Sequence, residues 1–194
     1  MQSRIRIREV QTLADDWYIL KKTTFDFQRR DGTWQTVSRE TYDRGNGVAV
    51  LLYNRKKGTV LLTRQFRYPA YINGCSDGLL IEACAGLYTD ESPEEAIRRE
   101  TQEETGQTIH NVRKVFEAYM SPGSVTEKLH FFVAEYDSHE EGTIGGSWHE
   151  GEEIEVLELP FSQALRMTQT SEIQDAKTML LLQHAAITGL LESQ

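Results

Sequence analysis

A continuous apolar run, Val48 to Tyr53, constrains the fold of this chain more than any other feature. Its six consecutive apolar residues leave no polar face, which is typical of a short strand covered on both sides. Such a strand needs a packed layer above and below it. Because strand-like and helical patterns alternate downstream of the run, we expect a layered α/β fold with a mixed sheet.

The segment that precedes this run has a different pattern. Residues 3–9 alternate apolar and charged side chains with period two, which predicts a half-buried strand. Two further extended stretches follow, separated by the turn residues Arg30-Asp31-Gly32, and together they indicate an antiparallel β meander. A glycine-rich joint at 44–47 marks the change of pattern. We therefore expect an N-terminal β element at 1–44 and a larger α/β domain at 45–194.

The larger domain has further periodic segments. Its predicted strands are 48–53, 59–67, 79–83, 114–119, 129–136 and 154–159, and its predicted helices are 92–105, 161–168 and 176–192. A long stretch rich in Gly and Glu, residues 137–153, separates two of the strands. Loops of that length in compact domains are usually functional or disordered.

Composition narrows the classes of function. The 21 Lys and Arg residues against 30 Asp and Glu give a formal charge of −9, which repels the phosphates of nucleic acid. Cys75 and Cys84 have neither zinc-ligand spacing nor the pattern of a disulfide framework. The sequence shows no signal-peptide pattern and no apolar stretch of membrane-spanning length. We expect a soluble, cytoplasmic protein that binds neither nucleic acid nor membrane.

The segment 86–106 carries most of the chemical information. Ser92 suits a helix N-cap, Pro93 suits the first helical position, and Glu95 completes a capping box. Gly106 can end the helix in a left-handed conformation. This pattern predicts a helix that begins at the proline and ends one residue before the glycine.

Three carboxylates crowd one side of this predicted helix, since Glu100, Glu103 and Glu104 stand at i, i+3 and i+4. Each like-charge pair costs roughly 0.2–0.5 kcal/mol, and each acid at the negative end of the helix dipole costs roughly 0.3–1 kcal/mol. Arg99 offsets part of this repulsion by pairing with Glu95 or Glu103. A divalent cation, Mg²⁺ or alternatively Mn²⁺, would neutralise the remaining repulsion and make the carboxylates a binding site for metal and phosphate. For an isolated motif, a solvated acidic face is the simpler interpretation.

The order of these residues resembles the signature of the Nudix hydrolase family. That signature runs Gly, five residues, Glu, seven residues, Arg-Glu, an apolar residue, any residue, Glu-Glu, any residue, Gly and an apolar residue. The residues at the family spacing are Glu91, Arg99, Glu100, Glu103, Glu104 and Gly106. Gly86 departs from the signature because it lies one residue too close to Glu91. Thr101 and Gln107 occupy positions that are usually apolar, which would weaken helix packing without touching the ligands.

The resemblance implies an α/β/α sandwich with a mixed sheet and hydrolysis of a diphosphate bond. Water would attack one phosphorus, with Glu152 or Glu103 as the base. Arg99 would orient the acids by ion pairing, with Glu91 as its partner. The metal ligands implied are the Ala85 carbonyl, Glu100, Glu104 and Glu152.

Outside the signature, the chain resembles the ADP-ribose and nucleotide-sugar pyrophosphatase branch of the family. The segments that carry this likeness are 44–47, 64–67, 119–122 and 154–162. The branch implies a homodimer with swapped N-terminal strands and a nucleotide-sugar substrate, GDP-mannose first and ADP-ribose as the alternative. The substrate contacts implied are Trp17, Ser38, Arg39, Glu40, Arg67, Ala85, Gly86, Leu87, Glu104, Glu127, Gly151 and Lys177.

Simpler interpretations stay open for several of these residues. Trp17 could belong to a core, and Glu127 and Lys177 could be ordinary surface charges. Residues 121–123, Ser-Pro-Gly, could be only a turn, and the Glu-rich loop could be solvated. A Nudix-fold binding module without catalysis is a different class of answer, but such modules usually lack the acids of the signature, and all three are present here. A purely structural protein would leave the clustered carboxylates unexplained.

Overall fold

The computed structural model describes residues 3–139, 144–146 and 153–192. The chain forms two compact units. The first, here called the N-terminal unit, comprises Met1–Asn46 and Tyr119–Lys128, and the second, the sheet unit, comprises Gly47–Ala118 and Leu129–Gln194. None of the helices in the described part of the chain has the length and hydrophobicity that a membrane crossing requires.

The N-terminal unit contains a three-stranded antiparallel sheet in the order β1-β2-β3. Its strands are β1 (Ile5–Asp15), β2 (Ile19–Gln28) and β3 (Trp34–Asp43). The predicted meander is confirmed, although β1 continues six residues past its predicted end. The turn between β2 and β3 is stabilised by the Asp31 carboxylate, which accepts hydrogen bonds from the Thr33 N–H (2.9 Å) and hydroxyl (2.6 Å). Gly32 supplies the left-handed residue of that turn, with φ +87°.

The outer strand of this sheet leaves apolar side chains in solvent. Every residue of β1 is exposed in the isolated chain, including Ile5, Ile7, Val10 and Leu13. An edge strand with unpaired backbone groups and exposed apolar side chains is a template for association. The segment 119–128 pairs with the end of β3, since Tyr42 N–H donates to the Ser124 carbonyl oxygen (2.8 Å).

Within the described residues, the sheet unit is built on a mixed eight-stranded sheet. Its main path runs β10-β11-β5-β4-β9-β8, with β6 paired to β5 and β7 paired to β4. The strands are β4 (Asn46–Asn54), β5 (Thr59–Phe66), β6 (Leu79–Glu82), β7 (Cys84–Tyr88), β8 (His110–Tyr119), β9 (Lys128–Glu135), β10 (Ile144–Gly145) and β11 (Ile154–Pro160). The helices are α1 (Tyr68–Ile72), α2 (Pro93–Thr105), α3 (Phe161–Gln169) and α4 (Ala176–Ile187).

Strand β4 lies at the centre of the core, as its apolar sequence predicts. It pairs in parallel with β9 and antiparallel with β5. Val48 packs on one face in a buried cluster with Ile97 of α2. On the other face Phe116 contacts both Phe131 (ring centroids 4.6 Å apart) and His184 of α4 (5.6 Å). Helices therefore cover both faces, and each fully buried Leu, Ile or Phe contributes roughly 1.5–3 kcal/mol to the free energy of folding.

Three short elements were not predicted from the sequence: α1, β7 and β10. Helix α1 buries none of its five residues, so it leaves no periodic apolar signal. Strand β7 follows β6 after a single residue, and the small residues Ala85 and Gly86 weaken its strand pattern. Helix α4 ends at Ile187, five residues before its predicted end, and Gly189 follows with φ +60°.

Candidate active site

Helix α2 positions the candidate catalytic acids, and its local sequence defines both of its ends. The Ser92 hydroxyl accepts a hydrogen bond from the Glu95 N–H (3.2 Å), while the Glu95 carboxylate accepts one from the Ser92 N–H (2.9 Å). Pro93 occupies the first turn, and Gly106 ends the helix in the left-handed conformation with φ +68°. The predicted capping box and glycine terminus are confirmed.

Two of the three clustered acids, Glu100 and Glu104, face strand β7. Glu104 is only 6% exposed, and its Oε2 accepts a hydrogen bond from the Ala85 N–H (3.3 Å). Glu100 lies directly against Gly86, where an added Cβ would come within 2.0 Å of the Glu100 Oε1. A residue with a side chain at position 86 would therefore push this carboxylate away, so the glycine forms the cradle in which Glu100 sits.

Burial gives Glu104 an unusual proton affinity. Burial, with the neighbouring Glu100 charge adding to it, raises the pKa of Glu104 to about 8, while the positive charge of Arg67 acts in the opposite direction. A carboxylate held in this way carries a charge that its surroundings disfavour. A bound cation would relieve that cost.

Arg99 links the outer acids of the cluster. Its Nη2 donates to Glu91 (2.7 Å), and its Nη1 donates to Glu103 (2.9 Å). The Nη1 atom also lies 3.0 Å from the Glu100 carboxylate. The hydrogen bond to Glu91 is the largest cause of a raised pKa for Arg99, so the group stays charged. Of the two helical partners predicted for it, Arg99 pairs with Glu103, because Glu95 is engaged in the capping box. Glu103 itself extends to the surface with 56% of its side chain exposed.

The donor set suits a hard divalent cation. Glu100 and Glu104 offer carboxylate oxygens beside the backbone of Ala85, and such cations prefer oxygen ligands. Among the described residues, no three His, Cys, Asp or Glu side chains form a group that could hold a metal ion. The predicted ligand Glu152 and the predicted contact Gly151 lie outside the described residues. The described part therefore contains two of the predicted carboxylates, Glu100 and Glu104, which lie against the backbone of Ala85 and Gly86.

The polar residue at one usually apolar position of the signature is accommodated without an unsatisfied group. Thr101 is fully buried, and its hydroxyl donates to the Ile97 carbonyl oxygen (2.6 Å). A buried hydroxyl that has a partner carries little penalty. Gln107, at the other such position, follows the helix and is half-buried.

Two predicted substrate contacts, Arg67 and Lys177, meet on an acid that was not predicted. The Glu82 carboxylate accepts hydrogen bonds from Arg67 Nε (3.1 Å) and Nη2 (2.8 Å) and from Lys177 Nζ (3.0 Å). Lys177 also bonds to Asp175 (2.9 Å). We call these four residues the Glu82 network. A single acid inside the apolar segment 79–84 was the available sequence signal for it.

The network keeps its buried charges ionised. Burial alone would raise the pKa of Glu82, but the charges of Lys177 and Arg67 outweigh it and leave the pKa below its usual value. Burial likewise lowers the pKa of Lys177, and the carboxylates of Glu82 and Asp175 more than reverse the effect. The ion pairs in the network are therefore formed at neutral pH.

The remaining predicted contacts belong to the N-terminal unit. Arg39 and Glu40 on β3 line a cleft of about 650 Å³ together with Phe25, Tyr119 and residues 122–126. Ser38 is exposed and shares a hydrogen bond with the Thr24 hydroxyl (2.9 Å). Trp17 lies in the turn between β1 and β2 with 79% of its surface exposed, so it is not a core residue. The Glu127 carboxylate lies 3.5 Å from Arg44 Nε.

Comparison with known families identifies the class of protein. The family described as "NUDIX domain" matches residues 43–182, and the one described as "GDP-mannose pyrophosphatase NudK N-terminal domain" matches residues 4–42. Because the first match covers more than half of the chain, this protein belongs to the Nudix family. It is a Nudix pyrophosphohydrolase, a class that generally requires a divalent metal ion.

Individual relatives sharpen this assignment. The chain is 57% identical over 189 residues to the GDP-mannose pyrophosphatase of Pectobacterium atrosepticum, which covers 97% of each chain. It is 51% identical over 192 residues to the GDP-mannose pyrophosphatase of Salmonella paratyphi B, which covers 99% of this chain and 100% of the relative. The fold matches the crystal structure of an ADP compounds hydrolase with a TM-score of 0.69 at 17% identity, covering 98% and 97% of the two chains. The predicted Nudix fold is confirmed.

Proposed function

We propose that this protein hydrolyses the diphosphate bridge of GDP-mannose, giving GMP and mannose 1-phosphate, in the cytoplasm. The observation that carries the proposal is the pair of carboxylates, Glu100 and buried Glu104, held against the backbone of Ala85 and Gly86. Proteins similar to this chain over nearly its full length are GDP-mannose pyrophosphatases. The choice of guanosine and mannose rests on that likeness.

We propose Mg²⁺ as the metal ion, with Mn²⁺ as the alternative. Its ligands would be the Ala85 carbonyl, Glu100, Glu104 and Glu152. When bound, such an ion supplies Lewis-acid polarisation of the phosphoryl oxygens and compensates the charge that develops on them. Arg99 holds the acids in place from the outside, because its guanidinium joins Glu91, Glu100 and Glu103.

The reaction adds one water molecule across the phosphorus–oxygen–phosphorus bridge. The water oxygen bonds to one phosphorus, the bridging bond breaks, and the second phosphate departs with the bridging oxygen. Glu152 or Glu103 accepts the proton of the water. Separate substitutions, Glu103→Gln and Glu152→Gln, identify the base, because loss of the true base lowers kcat far more than KM.

We further propose that substrate binding involves both subunits of a homodimer. The support is the exposed apolar strand β1, which has the character of an association surface. Arginine suits phosphate recognition because its planar fork makes two-point contacts. Ser38, Arg39 and Glu40 would reach substrate bound to the partner, and Trp17 would stack on its base. The family resemblance groups Arg67 with the residues that cross the interface, but Arg67 is bonded to Glu82 in the segment that leads to Ala85, so we propose that it contacts substrate of its own subunit. The other proposed contacts are Ala85, Gly86, Leu87, Glu104, Glu127, Gly151 and Lys177.

A substrate panel tests the proposed reaction. Purified protein with Mg²⁺ is given GDP-mannose, GDP-glucose or ADP-ribose. Alkaline phosphatase then releases inorganic phosphate from the phosphomonoester products, and this phosphate is measured. We expect the highest kcat/KM for GDP-mannose. A higher value for ADP-ribose would assign the protein to that substrate instead, and no cleavage of any of the three would favour a binding module without catalysis.

Mixed dimers test the proposed exchange between subunits. Arg39→Ala and Glu104→Gln each damage one half of a shared site, so a dimer of the two variants contains one intact site if Arg39 acts across the interface. We expect co-expressed variants to recover activity that neither variant has alone. A co-expressed pair that stays as inactive as the separate variants contradicts the exchange.

A further inference from the structure

Glu82 is a buried acid that the proposed chemistry does not use. It is only 2% exposed, and both of its carboxylate oxygens are engaged by cations, Arg67 in a two-point contact and Lys177 in a single one. A buried carboxylate stays ionised only when such partners compensate for lost hydration. Glu82 is therefore a negative charge inside the fold that holds the Arg67 and Lys177 side chains in place.

The same segment is also fixed through its backbone. Asp175 caps α4 by accepting a hydrogen bond from the Thr178 N–H (2.9 Å), and the Thr178 hydroxyl oxygen accepts one from the Ala83 N–H (2.6 Å). Two residues further on, the Ala85 N–H donates to Glu104. The strand that leads to the proposed metal ligands is thus anchored by α4 on one side and by α2 on the other.

Arg67 is the member of the network that reaches solvent. Its side chain is 38% exposed, whereas that of Lys177 is 13% exposed and bonded to two carboxylates. The carboxylate that holds Arg67 belongs to the segment 82–85, in which the Ala85 N–H donates to Glu104, so this guanidinium is attached beside the segment that contacts the proposed metal-binding carboxylates. A guanidinium held on one edge by a carboxylate keeps a fixed orientation and loses less conformational entropy when it binds an anion.

We propose that Glu82 is a positioning residue of the diphosphate site, which orients Arg67 toward a substrate phosphate while Lys177 balances part of the Glu82 charge. This inference rests on the proposed function. Lys177 then supports the site from within and is not itself the principal phosphate contact. Glu82 acts through Arg67, and it touches neither substrate nor metal.

A double-mutant cycle tests this role. Glu82→Gln keeps the size of the side chain and removes its charge, and Arg67→Gln removes the guanidinium. The affinity for imidodiphosphate, a non-hydrolysable diphosphate, is measured by calorimetry with Mg²⁺, and kcat and KM are measured with GDP-mannose. We expect Glu82→Gln to weaken imidodiphosphate binding at least about tenfold in the wild-type background, and less than about threefold when Arg67 is already absent.

A matched control separates positioning from general destabilisation. Glu158 is a carboxylate on β11 of the same sheet, and it pairs with Lys57 (3.0 Å), outside the Glu82 network. Glu158→Gln is expected to lower Tm while the Kd for imidodiphosphate stays at the wild-type value. If Glu82→Gln does not fold, Glu82→Asp retains the charge that Lys177 requires but shortens the reach to Arg67, and it is expected to weaken binding by several-fold.

The outcomes distinguish this inference from the proposed function. A folded Glu82→Gln or Glu82→Asp variant with wild-type affinity overturns the inference, and so does an equal loss with and without Arg67. If imidodiphosphate binding shows the predicted coupling but GDP-mannose is not cleaved, the proposed function fails and the positioning role stands. Wild-type protein that does not bind imidodiphosphate overturns the positioning role as well.

Discussion

The sheet unit contains two groups of ionised side chains that are balanced in opposite ways. The helix carboxylate cluster, defined here as Glu91, Arg99, Glu100, Glu103 and Glu104, sets four carboxylates against one guanidinium in the described part of the chain. The Glu82 network sets two carboxylates against two cations. Both groups include a carboxylate that is almost fully buried.

The difference shows how the same residue type serves two purposes. In the Glu82 network each buried charge has a partner of opposite sign, so the group stays ionised without a bound ligand. In the helix carboxylate cluster the negative charge exceeds what Arg99 can balance, and the fold tolerates repulsion that only an added cation relieves. An excess of carboxylates indicates a site for a cation, and a balanced group indicates that its members hold one another in position, as Glu82 holds Arg67.

The largest expected effect comes from the unbalanced cluster. We expect Glu104→Gln to lower kcat/KM for GDP-mannose by at least about 100-fold, because a lost metal ligand should exceed the 10–100-fold cost of a lost outer-shell partner. Mg²⁺ should raise the Tm of the wild-type protein but not that of the variant. Steady-state kinetics and thermal melts check both effects. A variant with near wild-type turnover would remove the reason for distinguishing the two groups.

Substitutions in the Glu82 network should change the free energy of unfolding. We expect Glu82→Gln to reduce the free energy of unfolding by about 3 kcal/mol, because it leaves buried Lys177 with one carboxylate instead of two. In metal-free protein above about pH 8, where Glu104 is ionised, Glu104→Gln should act in the opposite direction and increase the free energy of unfolding, since it removes a buried charge. Urea denaturation of the two variants without metal gives the comparison. A shift of the same sign in both would contradict the contrast.

The pH dependence of stability sharpens the comparison further. In metal-free protein the pKa of Glu104 rises from 4.5 to about 8, so the folded state holds this proton more tightly than the unfolded state. The stabilisation is complete below about pH 4.5 and is lost as pH rises through about 8. Without metal, wild-type Tm should therefore fall relative to that of Glu104→Gln across this interval. Parallel pH profiles of the two proteins would refute the assignment.

The smallest effect is expected outside both groups. Glu94 pairs with Arg98 on the exposed face of the same helix (3.0 Å). Glu94→Gln should change the free energy of unfolding by only about 0.3 kcal/mol and leave kcat/KM unchanged, since exposed pairs four residues apart contribute little. The same melts and kinetics are sufficient. A large loss of activity would show that the acids of α2 act through their general field and not through a defined site.

Local chemistry explains which parts of this picture were predictable from the sequence. The ends of α2 depend on Ser92, Glu95 and Gly106, which lie within or next to the helix, and the buried strand β4 depends on one apolar run. The Glu82 network could not be predicted, because Glu82 and Lys177 stand 95 residues apart and meet only after the sheet and α4 have packed. Spacing on an ideal helix left Glu95 and Glu103 as alternative partners of Arg99, and it could not show that Glu100 and Glu104 face β7.

A crystal grown with Mn²⁺ tests the central claim most directly, because the anomalous signal locates the ion independently of activity. The account predicts an anomalous peak in contact with the carboxylates of Glu100 and Glu104 and the carbonyl oxygen of Ala85. A peak elsewhere, with Glu104 still buried beside the Ala85 N–H, would contradict it, and so would the absence of any peak from protein that hydrolyses GDP-mannose under the same conditions.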